Sequence, residues 1–422
     1  MSEESPNAER MVADVEALCG FEGRRPGTDA ERRAANHLAR RLRELGWRAD
    51  VEATYVHPQA ALIWAAHCAL GFAASVIALP LPPVGFALAL VAAASLYLDL
   101  NTRLYLLRTL FFRRGSQNVV ARGRSREAPA RLLIVAHYDV ARTGQLFFGR
   151  SLERATRATR LFGFDPPRIP FWSLALLVPI LGARVAGLDS AAIGAIQVLP
   201  TLALLVAGFA LLDIEYSPAS PGANDNASGV AVALALASEL RANPPANLDP
   251  WVVLTGGGES PMEGMRAFLR AHRDELDRRR TFVIALDAVG RGELRYVASE
   301  GLAVAYPADA RLLELAQAVA ETGDVPAAPE RSGFAGEALA ARVRGLRALE
   351  LTAAEPGDAL PSHYHLPTDT PEHIDPDALT RARDFALALV RALDRDVGRE
   401  LDPERPGAQR PNRVGAADRT RP

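Results

Sequence analysis

Residues 131–139 have the sequence Arg-Leu-Leu-Ile-Val-Ala-His-Tyr-Asp. A short apolar run without alternation is typical of a strand that is buried on both faces of a parallel sheet. Binding sites in such sheets form at the carboxyl ends of the strands, which is where His137 and Asp139 stand. We therefore predict that His137 is a metal ligand and that the Asp139 carboxylate orients its imidazole.

Similar patterns extend on both sides of this run. Short apolar segments that resemble strands alternate with alanine-rich segments of helical periodicity. This alternation predicts an α/β fold with a mainly parallel, mixed sheet that is covered by helices on both faces. The predicted strands are 48–56, 118–121, 131–136, 251–255 and 281–286, and the predicted helices are 29–46, 229–242, 261–280, 307–321 and 375–397.

Three long apolar stretches interrupt the α/β pattern. Residues 60–98 contain no Asp, Glu or Arg and are divided only by the segment Pro80-Leu81-Pro82-Pro83. A membrane-spanning helix needs about 20 apolar residues, so this stretch predicts a transmembrane hairpin with a proline-rich turn. Residues 169–183 and 190–212 predict a second hairpin. The alternative for all of these segments is a set of buried core helices.

The arginines that flank the hairpins predict their orientation. Four arginines follow the first hairpin between positions 103 and 114, and five more lie between 150 and 168. The two short turns on the other side contain only Arg184. Because positively charged flanks stay in the cytoplasm, we expect both termini and the α/β domain to be cytosolic, in a multi-pass protein of a bacterial inner membrane.

The predicted organisation is one α/β domain with two membrane insertions. The tail is rich in proline, glycine and arginine and has no periodicity, so we expect it to be disordered. The predicted segments are 1–57 (N-terminal helix and strand), 58–102 (first hairpin), 103–168 (α/β domain), 169–212 (second hairpin), 213–397 (α/β domain) and 398–422 (disordered tail).

The composition disfavours several classes of function. A formal net charge of −2 gives no general attraction for nucleic acid. The sequence contains no lysine, which excludes lysine Schiff-base chemistry and a lysine-dependent phosphate loop. Cys19 and Cys68 are too few for a disulfide framework or a structural zinc knuckle. A transporter is disfavoured because His67 is the only candidate for an intramembrane charge in the predicted spans.

Further histidines and carboxylates follow the other predicted strands. Asp225 lies in a glycine-bounded loop that opens a helix, while Glu259 and Asp287 follow strands 251–255 and 281–286. His363 and His365 lie in a loop before the last helix. Two histidines and three carboxylates at one edge of a sheet fit two zinc ions that share a bridging carboxylate. Each residue alone could instead be a helix cap or a surface charge.

These motifs resemble those of the di-zinc aminopeptidases and glutamate carboxypeptidases of metallopeptidase family twenty-eight. The resemblance covers Arg24–Val56 and then Ser116–Val397 apart from the second hairpin. It rests on His137-Tyr138-Asp139, on Gly222-Ala-Asn-Asp-Asn-Ala-Ser-Gly229 and on His365-Leu-Pro-Thr-Asp-Thr370. The resemblance implies a zinc exopeptidase-like fold in which His137 and Asp287 bind one zinc ion, Glu259 and His365 bind the other, Asp225 bridges the two and Asp139 supports His137.

One position departs from the family pattern. Family members have two consecutive glutamates, the first of which is the general base, and this chain has Gly258 before Glu259. Loss of a general base typically costs about 10²–10⁴-fold in rate, so a glutamate restored at position 258 is expected to raise hydrolysis at least about tenfold. Glu263 is a surrogate candidate, although Ser260-Pro261-Met262-Glu263 also resembles a helix capping box.

The resemblance implies a zinc-dependent, membrane-anchored metallopeptidase that hydrolyses a terminal peptide bond or a related amide bond. The alternative is a catalytically impaired zinc protein that acts as a membrane interaction protein. The second hairpin leaves the α/β domain between His137 and Asp225, and the return segment 213–222 is too short to reach far. We therefore expect the site to lie beside the lipid bilayer and to take a peptide or amide substrate there.

Overall fold

A computed structural model describes residues 4–123, 128–150, 166–323 and 325–401 of the chain. The described residues form one nine-stranded sheet with helices on both faces, together with a bundle of four apolar helices. The predicted disordered tail lies almost entirely outside the described residues, and so does most of the arginine-rich segment 150–168.

The sheet is mixed, as its sequence pattern predicts. In chain order the strands are β1 (Arg48–Val56), β2 (Arg114–Arg122), β3 (Ala130–His137), β4 (Leu248–Thr255), β5 (Thr281–Leu286), β6 (Glu293–Glu300), β7 (Tyr306–Pro307), β8 (Ala328–Arg331) and β9 (Arg347–Ala354). Their spatial order is β1-β2-β4-β3-β5-β9-β6-β7, with β8 paired to β6. Strands β4, β3, β5 and β9 are parallel, and the antiparallel pairs lie toward the two edges.

The helices lie where the buried faces of the sheet require them. Along β3, Leu132 and Ile134 belong to the hydrophobic core on one face, and Leu133 and Val135 belong to the core on the other. Successive side chains of a strand point to opposite faces, so both faces must be covered. The helices are α1 (Glu4–Cys19), α2 (Asp29–Glu44), α3 (Ala60–Ile77), α4 (Pro82–Leu100), α5 (Ile169–Val185), α6 (Ala191–Tyr216), α7 (Gly229–Ala242), α8 (Glu263–Ala271), α9 (Ala310–Thr322), α10 (Glu337–Arg342) and α11 (Pro376–Leu401).

Two groups of helices complete these cores. Helices α1, α2, α7, α9 and α11 pack against one face, and α8 and α10 pack against the other. The predicted helix 261–280 is wrong in both of its bounds, because α8 spans only Glu263–Ala271. Residues 272–280 are mostly charged, and among them only Leu276 is a buried apolar residue, so they offer no continuous face for a helix to bury.

Helices α3, α4, α5 and α6 are long and apolar enough to cross a membrane, by length and composition. They correspond to the two predicted hairpins, and α3 packs against α4 and α6 while α5 packs against α4 and α6. Between 17% and 44% of each apolar window is buried inside the protein. A helix in a protein core would be buried almost all round, and these four helices are not.

A buried polar cluster fixes the helical bundle against the sheet domain. Arg108 donates hydrogen bonds to both oxygens of Asp99, at 2.7 and 2.6 Å, and Trp64 Nε1 donates to Asp99 Oδ1 at 3.0 Å. Arg108 Nη1 also lies 3.7 Å from Glu263 Oε2 on α8. Charges buried in this way must be paired, so the cluster holds α3 and α4 in one position relative to the domain.

Candidate metal centre

Three of the predicted ligands meet because their strands are parallel neighbours. His137 is the last residue of β3, Glu259 follows β4, and Asp287 follows β5. The order β4-β3-β5 brings these carboxyl ends to one edge of the sheet. The other two ligands come from loops, since Asp225 precedes α7 and His365 precedes α11.

The other four side chains surround Asp225 in two groups. His137 Nε2 lies 3.3 Å from Asp225 Oδ1 and 3.6 Å from Asp287 Oδ1. His365 Nε2 lies 3.2 Å from Asp225 Oδ2 and 3.7 Å from Glu259 Oε1. Each oxygen of Asp225 therefore faces one histidine and one further carboxylate. This division is the one that a carboxylate bridging two metal ions requires.

The chemistry of the cluster fits divalent cations. His137, Asp225 and Glu259 offer ligand atoms that all lie within 4.8 Å of one another. Burial, followed by the neighbouring Asp225 and Asp139 charges, raises the pKa of Glu259 to about 8, although His365 and His137 oppose the shift. Carboxylates crowded in a buried site are stabilised in their charged form by a bound cation. Imidazole nitrogen and carboxylate oxygen together are typical zinc ligands.

Two further carboxylates position the ligands through the backbone. Asp139 accepts hydrogen bonds from the backbone N–H groups of Gly258 and Glu259, at 2.8 and 3.0 Å. Its Oδ1 is 3.6 Å from His137 Nδ1, which lies closer, at 3.2 Å, to the Asp139 carbonyl oxygen. The structure therefore places Asp139 beside His137, as predicted. Asp139 also stabilises the turn at Gly258 that positions Glu259.

Asp369 has the corresponding place beside Asp225. It accepts hydrogen bonds from the backbone N–H groups of Asn224, at 2.7 Å, and Asp225, at 3.1 Å. Burial raises its pKa to about 7. Sequence analysis did not assign a role to this residue, although its place in the motif that contains His365 was a usable signal. His363 instead lies 2.8 Å from the Thr368 hydroxyl.

Gly258 stands where no side chain fits. A Cβ atom at this position would lie 2.5 Å from His137 Cβ and 3.0 Å from Glu337 Oε1. Real Cβ atoms do not approach other atoms as closely as 2.5 Å, so His137 would have to move. A glutamate restored at position 258 would therefore have to displace His137, which argues against the expected gain in activity; that expectation stays a prediction.

Glu337, at the start of α10, brings a carboxylate to the same space. Its Oε1 accepts a hydrogen bond from the Thr255 hydroxyl at 2.7 Å, and its Oε2 is buried with no hydrogen-bond partner among the described residues. Burial raises the pKa of Glu337 to about 7, with His137 and the Thr255 hydrogen bond opposing the shift. Sequence analysis missed this residue because no local motif surrounds it.

Glu263, the surrogate base considered from the sequence, lies elsewhere. Its Oε1 is 2.8 Å from His57 Nδ1, and its Oε2 accepts a hydrogen bond from the His57 backbone N–H. The capping-box interpretation is also wrong, because the Ser260 hydroxyl donates to the His57 carbonyl oxygen and α8 begins at Glu263. Glu263 therefore serves the buried cluster that contains Arg108, away from the two histidine ligands.

Comparisons with known proteins show a family likeness over part of the chain and a shared fold. Residues 202–390 match the model of Peptidase family M28. Similar solved structures include the zinc aminopeptidase BSAP from Bacillus subtilis, at 14% identity over 91% of this chain and 94% of that chain with a TM-score of 0.52. A Zn-dependent exopeptidase from Parabacteroides distasonis is 13% identical over 91% of this chain and 97% of that chain, with a TM-score of 0.51.

A glutaminyl cyclase from Tannerella forsythia is also similar, at 16% identity over 91% of this chain and 98% of that chain with a TM-score of 0.52. No curated protein sequence matches the chain. The fold of the domain is that of the zinc exopeptidases. The match to the Peptidase family M28 model covers residues 202–390, which is less than half of the chain, and the likeness to the solved structures shows the fold.

Proposed function

We propose that this protein is a membrane-anchored, two-zinc hydrolase that cleaves a terminal peptide bond or a related amide bond. The observation that carries the proposal is the division of the ligands about Asp225, with one histidine facing each of its oxygens. Bound zinc ions supply Lewis-acid polarisation of the substrate carbonyl and a more acidic water. His137 and Asp287 would hold one ion, Glu259 and His365 would hold the other, and Asp225 would be shared between them.

The proton of the attacking water goes to Glu337 in this proposal. A general base must lie within hydrogen-bond reach of its proton, and the space beside Gly258 is filled by Glu337 Oε1. The second oxygen of Glu337 has no partner among the described residues, so it is free to accept a hydrogen bond. The structure holds Glu263 in the His57 interaction instead. Because Gly258 has no side chain, it leaves room for the Glu337 carboxylate, which comes from α10.

The alternative function is a zinc-binding protein that does not catalyse hydrolysis. Gly258 favours this alternative, since family resemblance implies a glutamate there. The similarity to a glutaminyl cyclase adds a second kind of chemistry for the same fold. A non-catalytic zinc protein and a cyclase would both release no amine from an aminoacyl amide. Hydrolysis of an aminoacyl amide therefore separates both alternatives from the proposed hydrolase.

Membrane anchoring and a cytosolic site complete the proposal. Helix α6 ends at Tyr216 and the bridging Asp225 follows within one short loop, so the site and the bundle are neighbours. The arginine-rich flanks of the hairpins favour an inner-membrane protein with its domain in the cytosol, where arginines each gain about 1 kcal/mol near anionic headgroups. We expect the substrate to be a peptide or amide beside the lipid bilayer, and not a nucleic acid.

The test is hydrolysis of alanine p-nitroanilide by purified, zinc-loaded protein in detergent. We expect turnover that a chelator abolishes and zinc restores, and that Asp225→Ala removes. Asp274→Ala is the matched control, because that carboxylate is exposed and its ion-pair partner is Arg273, which is not a ligand. Turnover that survives in Asp225→Ala would exclude this metal centre, and a zinc-loaded wild type without turnover would favour the non-catalytic alternative.

A further inference from the structure

The metal centre opens into a large apolar cavity that continues along the helical bundle. The cavity has a volume of about 590 Å³. Its lining includes Gly258, Glu259 and His365 at one end and residues of α3, α5 and α6 elsewhere. The ligands of the centre and the surfaces of the apolar helices therefore share one continuous space.

One face of α6 forms a long wall of this cavity. The wall residues recur every three or four positions from Leu199 to Glu215, which is the spacing of a single helical face. This length of helix corresponds to about 24 Å. Leu199 and Val206 on this wall are 76% and 68% exposed in the protein, so the cavity is open toward the surface of the bundle.

The polar groups of the cavity are gathered at the end near the metal ligands. Arg142 Nη2 lies 3.6 Å from Glu215 Oε1, and Arg142 Nη1 donates to the Ser217 carbonyl oxygen at 2.9 Å. Arg25 lines the same cavity. Two arginines against the one Glu215 carboxylate leave a net positive charge at this end, which suits an anionic head group, while the apolar part of the α6 wall from Leu199 to Ile214 suits a chain without polar atoms.

We infer that the cavity binds the acyl chain of an N-acyl amino acid whose amide carbonyl lies at the metal centre. This inference rests on the proposed hydrolase function and specifies its substrate class. A peptide of the same length would bury backbone N–H and C=O groups along the apolar α6 wall without partners, which is unfavourable, whereas a hydrocarbon chain has no such groups. The carboxylate of the amino acid faces Arg25 and Arg142.

The reaction is hydrolysis and needs only water as the co-reactant. The water oxygen bonds to the acyl carbon, the amide C–N bond breaks, and both protons of the water end on the leaving nitrogen, which becomes the ammonium group of the amino acid. The products are a long-chain carboxylate, which remains in the cavity beside the bundle, and a free amino acid. The polar product leaves on the domain side and the apolar product can leave through the open α6 wall.

The experiment compares N-dodecanoyl-L-alanine with N-butanoyl-L-alanine, both below their aggregation concentrations, by release of alanine. Each buried methylene favours binding by up to about fourfold, so kcat/KM should be at least about tenfold higher for the long chain. Ala203→Phe places a ring on the α6 wall and should lower this ratio at least about fivefold. Val198→Phe is the matched control on the same helix, outside the cavity lining, and should keep the ratio.

A binding measurement separates this inference from the proposed function. Trp64 lines the cavity, so dodecanoyl-alanine carrying bromine on its chain should quench its fluorescence in the wild type. Quenching should be lost in Trp64→Phe and weakened in Ala203→Phe. Hydrolysis of both probes without a chain preference, or equal quenching in wild type and Ala203→Phe, overturns the acyl-chain inference. Quenching without hydrolysis of either probe supports the cavity and contradicts the hydrolase.

Discussion

Substitution of Gly258 by alanine tests whether the position beside the metal centre is sterically closed. The added Cβ would lie 2.5 Å from His137 Cβ, and carbon atoms pack at about 3.5–4.0 Å, so His137 must move by about 1 Å. Zinc–ligand distances vary by only about 0.2 Å in sound sites, so this displacement breaks the bond from His137. Overpacking of this kind costs about 1–3 kcal/mol, and misplacement by about 1 Å costs on the order of 10²-fold in rate.

We expect Gly258→Ala to lose the zinc ion that His137 binds, and to lose about 10²-fold in hydrolysis of alanine p-nitroanilide. Metal analysis and steady-state kinetics on the same preparation measure both quantities. Gly115→Ala is the matched control, because nothing lies within 4 Å of a Cβ atom at that glycine. Full zinc occupancy and unchanged turnover in Gly258→Ala would refute the steric argument. A gain in activity in Gly258→Glu would refute it as well and would restore the missing-base interpretation.

Three further predictions concern the base, the charges of the site and the membrane. Glu337→Gln should lower kcat by at least about 10² at unchanged zinc content, whereas Glu337→Asp should recover part of the loss; equal kcat in all three proteins would exclude Glu337 as the base. In the metal-free protein the pKa values of Glu259 and Glu337 are raised from 4.5 to about 8 and about 7, so the stability that their protonated forms contribute is lost as the pH rises through these values. The Tm of the metal-free chain should therefore fall between about pH 5 and 8 more steeply than that of Glu337→Gln, and a Tm that is flat in both proteins would contradict the burial of these charges. In a protein whose native cysteines are replaced, Leu188→Cys in the turn between α5 and α6 should react with an impermeant thiol reagent added outside cells. Tyr55→Cys on β1 should react only after permeabilisation. The reverse pattern would show the opposite orientation in the membrane.

The five candidate ligands can be picked out from the sequence because each belongs to a short motif at an element boundary. His137, Glu259 and Asp287 follow buried strands, and parallel order brings such positions to one edge of the sheet. The four apolar helices can be predicted from the sequence equally well, since their length and their lack of charged residues are local features. What these features share is that nothing distant in the chain is needed to recognise them.

The surroundings of the site depend on contacts between distant segments. Glu337 reaches Thr255 across 82 positions, and Glu263 reaches His57 across 206 positions. No local pattern indicates either pairing, so the capping-box interpretation of Glu263 was the simplest one and still wrong. Strands β6 to β9 were also missed. Strands β7 and β8 have only 2 and 4 residues and show no buried apolar pattern, whereas β6 and β9 have 8 residues each and were not recognised.

The central claim is that Asp225 bridges two zinc ions in this chain, and its most direct test is zinc analysis by mass spectrometry on protein purified with zinc present. The ligand arrangement predicts close to two zinc ions per wild-type chain, none in Asp225→Ala, and close to one in His365→Ala, which retains the ligands around His137. A wild-type chain with no zinc, or an Asp225→Ala variant that keeps both ions, would contradict the account.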